Sequence, residues 1–372
     1  MSIASALAAG HDPQPAVAVE ALARALEKAG VDRAAGVLLL LTDDFSRCAQ
    51  ATVSAVARAA QCTEVAGSLA AGVFTDSGWL IDRPAAAVMV FAGGVSLAHR
   101  PASAAGDEGE AADERDEALL SYTGSHWPHA WGASPTRRFG GSFAGKVACS
   151  DPVAWQHGRL ARQCSLRLRG AHVDVGVSSG WRVQASPRRI DSSRGRELFR
   201  VGGASALDSL RRALPADYRA QARLPLASLC AVLGDARAAA DGWRTLAIIA
   251  AHADQSLTLA EEVTPGQHVA WAIRQPQAAA DDMRQLLARL AGVAGDPLAA
   301  IVFSCIGRGP CFHGGPDREL ECLRERFPGL PLIGSYGTGQ IAPGLDGGCR
   351  LLHNAVVSAL ISPRRSDVQS QS

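Results

Sequence analysis

The chain is predicted to fold as an α/β protein, with a mixed α+β arrangement as the alternative, from two related halves that repeat a βαβ-turn-β unit. Three observations predict this. Strand-like apolar runs alternate with helix-like segments along the whole sequence. A short pattern, apolar-Gly-Ser-x-small-x-Gly, occurs twice, as Ala66-Gly67-Ser68-Leu69-Ala70-Ala71-Gly72 and as Ile333-Gly334-Ser335-Tyr336-Gly337-Thr338-Gly339. The flanks match as well. Apolar runs begin at Val37 and Ile301, 30 and 33 positions before the first glycine, and others begin at Ala86 and Ala355, 19 and 21 positions after it. Duplicated units of this kind are expected to meet at a cleft lined by their glycine turns.

The elements follow in order. Val17 to Ala29 reads as a helix, with Val17, Leu22 and Leu26 near one face and Gly30 as its stop. Val37 to Leu41 is a buried strand ending at Asp43-Asp44, and Ser46 is placed to cap a helix running to Ala60. The first Gly-Ser turn leads through Asp76-Ser77-Gly78 into the strand Ala86 to Phe91. Residues 101–117 hold seven acidic side chains against one base, Arg115, and read as a solvated insert. Thr136 to Gly141 is a turn region, and the alternation within Leu166 to Val177 is of strand period. Ser178 to Arg182 ends that strand. Ala204 to Leu214 is a helix stopped by Pro215, Gly266 to Ile273 a strand, and Asp281 to Leu290 an amphipathic helix. The second copy of the unit runs from Ala299 to Ile361, and 363–372 is a polar, disordered tail.

Composition narrows the function classes. Basic and acidic side chains number 37 and 36, so no global field favours nucleic acid or an anionic membrane. No apolar run reaches membrane-spanning length, and no basic segment opens a signal peptide. Nine cysteines without a CxxC pair fit a reducing compartment, and the expected location is cytoplasmic.

Several stretches together resemble the FIST sensory proteins. Phe303-Ser304-Cys305-Ile306-Gly307-Arg308-Gly309 resembles the strand-to-loop FSCxGRG segment of that family. Pro331 to Pro343 resembles its P-x-x-G-x-x-x-x-G-E-I-x-P segment, with Gln340 where the family carries Glu. Ser179-Gly180-Trp181-Arg182 resembles its SGWRP strand end, with Val183 in place of Pro, and the Gly67–Gly72 turn resembles its Gly-Ser/Gly-Ala turn. The resemblance implies an N-terminal extension with a helix over 1–32, a FIST N-like domain over 33–220 and a FIST C-like domain over 221–362. It also implies a module that binds small ligands, amino acids or related metabolites, and signals through a separate protein partner.

The candidate ligand-binding residues come from both copies. Gly67, Ser68, Gly72, Gly334, Ser335, Gly339 and Gln340 belong to the turns, whose amides would hold a carboxylate or phosphate or would simply pack. Ser304, Cys305, Gly307 and Arg308 end a strand, where open α/β sheets bind ligands. Arg308 would either fork onto a ligand carboxylate or form a salt bridge with Glu319 or Glu321. Asp43 and Asp44, at the equivalent strand end, would receive an ammonium group or cap the next helix. Trp181 is a pocket wall or a core residue. No catalytic residue, metal or cofactor is expected. Cys305, Cys311, His313 and Cys322 lack the spacing of zinc knuckles. The rival readings are a hydrolase or transferase using Cys305 or Ser304 with His313 as base, and an interaction scaffold.

Overall fold

The computed structural model describes residues 2–99, 118–132, 134–145, 153–234, 244–344 and 348–364. The acidic insert and the tail beyond residue 364 lie outside them. The fold is mixed α+β, and the chain divides into two compact units, 1–179 with 283–372, and 180–282. This division runs differently from the boundary at 220 read from the sequence: the smaller unit is inserted within the larger one.

The larger unit contains the two expected copies and a third between them. In the first copy, Gly36–Thr42 pairs in parallel with Val65–Ala70 and antiparallel with Ala85–Ala92, which pairs in turn with Ser2–Ala9. The second copy repeats this with Leu119–Thr123, Arg138–Ser142, Gln163–Arg169 and Ser96–His99. The third does so with Ala299–Cys305, Leu332–Gly337, Val356–Pro363 and Ala171–Ser178. Each copy also carries a hairpin that it gives to another sheet. Gly72–Thr75 with Gly78–Ile81 extends the third sheet, Ala154–Gln156 with Arg159–Ala161 the first, and Gly339–Pro343 with Cys349–Leu352 the second. Three six-stranded sheets are thus joined in a cyclic exchange.

The parallel registers align the copies residue by residue: Leu39 faces Gly67, Ser121 faces Gly140, and Val302 faces Gly334. Side chains one position to either side (Leu38 and Leu40, Leu120 and Tyr122, Ile301 and Phe303) enter one shared core. Val37, Leu39 and Leu41 face the other way, onto the helices Pro15–Ala29 and Ala49–Ala59. With both faces covered, every residue of Gly36–Thr42 is buried, and each leucine contributes roughly 1.5–3 kcal/mol.

Several local expectations need correction. Residues 2–9, read as part of a helical extension, form an eight-residue strand. Ser46 caps nothing, because a 3-10 turn Asp43–Arg47 intervenes and the helix Ala49–Ala59 begins after Cys48. Trp181 begins a strand, Trp181–Val183, of the smaller unit.

The smaller unit is a closed antiparallel barrel. Its strands follow one another around the ring as Arg188–Arg194, Glu197–Val201, Leu257–Leu259, Arg244–Ala251, Leu229–Gly234 and His268–Arg274, and the last pairs again with the first. Closure removes the free edges. Val269, Trp271 and Ile273 alternate into the interior, joined by Leu207 and Leu210 of the helix Ala206–Ala213, whose N-terminus is capped by Ser205.

Candidate functional site

The glycine turns of all three copies converge. In the second copy the segment is Phe139-Gly140-Gly141-Ser142-Phe143-Ala144-Gly145. Glycine is required where each parallel pair is crossed by the incoming hairpin. A Cβ on Gly67 or Gly140 would lie 1.8 Å from the carbonyl oxygen of Leu39 or Ser121, and both residues have positive φ, 151° and 153°. A Cβ on Gly334 would lie 2.2 Å from the ring of Phe74, the hairpin residue paired with it.

Beyond these glycines the turns form a small crown. Ser68, Gly141, Ser142, Phe303, Ser304, Ser335, Gly337 and Gly339 surround a shallow depression that holds no water-sized space in this arrangement; about 200 Å³ of empty space lies among them, open solvent included. The turns lock into one another. Ala71 N donates to the Tyr336 carbonyl (2.9 Å) and Thr338 N to the Ser142 carbonyl (3.1 Å), while Ala144 N donates to Thr338 Oγ1 (2.9 Å). These amides are therefore engaged with the protein and do not form an open anion nest.

Four uncharged polar side chains lie at or behind the crown, and two of them, Gln340 and Tyr122, hold buried polar atoms with no hydrogen-bond partner among the described residues. Ser68 and Ser335 line its wall and are nearly buried. Gln340, paired across the strands with Gly141, is wholly buried, and neither end of its amide is bonded. Tyr122 packs edge-on against Phe303 at 5.6 Å, and its hydroxyl is likewise unsatisfied. Burial holds that phenol well above its ordinary pKa, so it stays neutral. Buried polar groups are nearly always bonded, so the unbonded Gln340 amide and Tyr122 hydroxyl behind a single feature are a signal.

Arg308 is elsewhere engaged. It is 2% exposed; Nε donates to Glu319 Oε1 (2.8 Å), Nη1 to the Ser178 carbonyl (2.7 Å) and Nη2 to Ser178 Oγ (3.0 Å). This is the salt bridge to Glu319 that the sequence offered as the alternative to ligand binding. Asp317 caps the helix Arg318–Arg326 and accepts from the Tyr336 hydroxyl, tying this network to the third turn. Burial raises the Asp317 carboxyl above its ordinary pKa, and the Tyr336 bond opposes that shift.

The expected residues therefore separate. Ser68, Ser304, Ser335 and Gly339 line the crown; Gly67, Gly334 and Gln340 stand one position from a lining residue, and Gly72 pairs with Tyr336 in the hairpin strand beside it. Cys305 Sγ lies 4.0 Å from Asn354 Oδ1, and His313 lies 3.6 Å from Glu319, so the supposed thiol and base are turned to different partners. Gly307 belongs to the 3-10 turn Ile306–Arg308. Asp44 accepts from Thr42 Oγ1 (2.8 Å), and Asp43 begins the 3-10 turn Asp43–Arg47. Trp181 packs in the barrel unit against Cys230, Val232, Ala270 and Ala272. Gly141, Ser142, Phe303 and Tyr122 were missed, although Gly140-Gly141-Ser142 with Gly145 carried a trace of the repeated turn.

Among the described residues no helix is long and apolar enough to cross a membrane. Two mycobacterial proteins, both titled uncharacterized, are similar to the chain. The one from Mycobacterium tuberculosis is 27% identical over 184 residues and the one from Mycobacterium bovis 28% identical over 186, each match taking in 48% of both chains. The chain thus spans about half the length of the curated relatives it matches. The model of the FIST C domain family matches residues 206–343, from the barrel helix to the hairpin strand Gly339–Pro343. By that match the chain carries a FIST C domain, which is consistent with a sensory signal-transduction module.

Proposed function

We propose that the chain is a cytoplasmic small-ligand-binding sensory module whose receptor element is the three-turn crown. The observation that carries this reading is the set of uncharged polar groups gathered there: the nearly buried Ser68 and Ser335 side chains at the wall, with the unsatisfied Gln340 amide and Tyr122 hydroxyl behind. Among the described residues no charged side chain lines the depression, so a net charge brought there would lose hydration without a counter-ion from them. The ligand class is therefore a small neutral or zwitterionic polar molecule, of which free amino acids are the natural example. Binding replaces some of the bonds between the turns with bonds to the ligand. It favours a second arrangement of the crown only to the extent that the ligand binds that arrangement better. A separate protein reads the change. The described cysteines are all free thiols, which supports a reducing compartment.

The test is a thermal-shift panel of the common amino acids and their amides on the full chain. A ligand at a hundred times its Kd stabilises by about 2.7 kcal/mol, an upward shift of several degrees. A panel with no shift at millimolar concentration refutes the reading.

A further inference from the structure

The barrel unit contains a second, chemically different cavity, of about 130 Å³, which is room for several waters. It arises from a break in strand pairing. Trp181–Val183 and Arg188–Arg194 both lie along one edge of His268–Arg274. Val183 pairs with Ala272 and Arg188 with Val269, so the chain takes five steps on one side against three on the other. The surplus residues stand away from the sheet, anchored by Gln184 N donating to the Trp271 carbonyl (2.8 Å). The space beneath is lined by Trp271, Ser209, Arg212, Arg188 and Ser186.

Its chemistry is that of an anion site with an apolar wall. Trp271 and Val269 are almost wholly buried and supply that wall. Trp271 Nε1 donates to Ser209 Oγ (3.1 Å), which leaves the Ser209 hydroxyl proton for another acceptor. The stem of Arg188 packs over Gly202, where an added Cβ would come within 2.9 Å of its Cδ. Arg212 projects from the helix Ala206–Ala213. Neither guanidinium has an ion pair or a side-chain hydrogen bond among the described residues. Two such cations on one cavity attract a planar carboxylate, which a guanidinium meets with two parallel charge-assisted hydrogen bonds.

We propose that this cavity binds a small organic carboxylate, with its carboxylate between Arg188 and Arg212 and its planar or apolar body against Trp271. The site lies wholly within the barrel unit and is independent of the crown reading.

The experiment is calorimetric titration of the full chain with benzoate, acetate, benzyl alcohol and inorganic phosphate, with the Trp271 indole N–H resonance followed by NMR. Benzoate is expected to bind, to bind more tightly than acetate, to shift that resonance and to weaken as salt rises, while benzyl alcohol gives no heat. Arg188→Gln and Arg212→Gln, both at exposed positions, should each weaken benzoate about tenfold or more, and the double variant should abolish binding. Ser335→Ala should leave benzoate affinity unchanged, whereas the arginine variants should leave amino-acid shifts at the crown unchanged. The two proposals can therefore fail separately. Silence with both carboxylates, binding of phosphate alone, or equal benzoate affinity in the folded double variant overturns the carboxylate site.

Discussion

Replacing Gln340 with leucine should make the protein more stable, an uncommon outcome for a fully buried position. Gln340 is 0% exposed, and both ends of its amide lack partners among the described residues. A buried unsatisfied polar group costs about 1–3 kcal/mol, which an apolar side chain of similar size removes. Repacking takes back up to ~1 kcal/mol, leaving a gain of about 1–2 kcal/mol. The other two copies support the substitution. Val73 and Ala154 occupy the equivalent hairpin positions, paired with Ser335 and Ser68 as Gln340 is with Gly141, and both lie in the shared core. Scanning calorimetry should show an unfolding midpoint higher by about 2–6 °C. The same variant should bind the crown ligand more weakly, since it removes a polar group that the proposal assigns to the ligand. Gln340→Glu perturbs in the opposite sense: a carboxylate without a counter-ion at that depth destabilises at neutral pH by several kcal/mol. A leucine variant that loses more than about 1 kcal/mol would refute the reasoning, because the amide would then be satisfied in solution.

The remaining predictions concern the framework. Arg308→Met should destabilise by about 3–5 kcal/mol, because it strands the buried Glu319 carboxylate, and Arg308→Met with Glu319→Leu should recover most of that loss in a double-mutant cycle. A single variant within 1 kcal/mol of wild type would contradict the buried pair. Gly67→Ala should cost at least ~3 kcal/mol or prevent folding, because its Cβ strikes the Leu39 carbonyl oxygen, whereas Gly78→Ala, in open space, should stay within about 0.5 kcal/mol. Asp317 has a raised pKa, so the folded state holds its proton more tightly than the unfolded state. Stability should therefore fall as pH climbs from the ordinary carboxylate range toward the folded pKa. Asp317→Asn keeps the cap acceptor and should flatten that slope in melts between pH 4 and 7, and parallel curves for the two proteins would refute it.

Much of this was legible in the sequence because two of the three copies advertise themselves. Leu38 to Leu41 and Ile301 to Phe303 are apolar on both faces, which a strand buried on both sides demands, and the helices Ala49–Ala59 and Arg318–Arg326 separate them from their glycine turns. The middle copy was hidden for a physical reason. Where the others place Leu39 and Val302, it places Ser121, which with Ser165 accepts from the buried Arg138 guanidinium at 3.2 and 2.7 Å, so its strand reads as polar. Its helix, His129–Gly132, has only four residues and carries no periodicity. The strand Ser2–Ala9 escaped notice because its alanines give no alternation. In the site, the serines and glycines were visible as a repeated pattern, but the direction of Arg308 was not. The pattern FSCxGRG is equally compatible with a guanidinium facing a ligand and one facing Glu319, eleven positions away on the next helix.

The most direct test of the central claim is calorimetric titration of amino acids into the wild-type chain and into a Ser68→Ala, Ser335→Ala double variant. The account predicts saturable heat with at least one amino acid for the wild type and a loss of affinity of tenfold or more in the folded double variant. No heat from any amino acid, or equal affinity in both proteins, would contradict it.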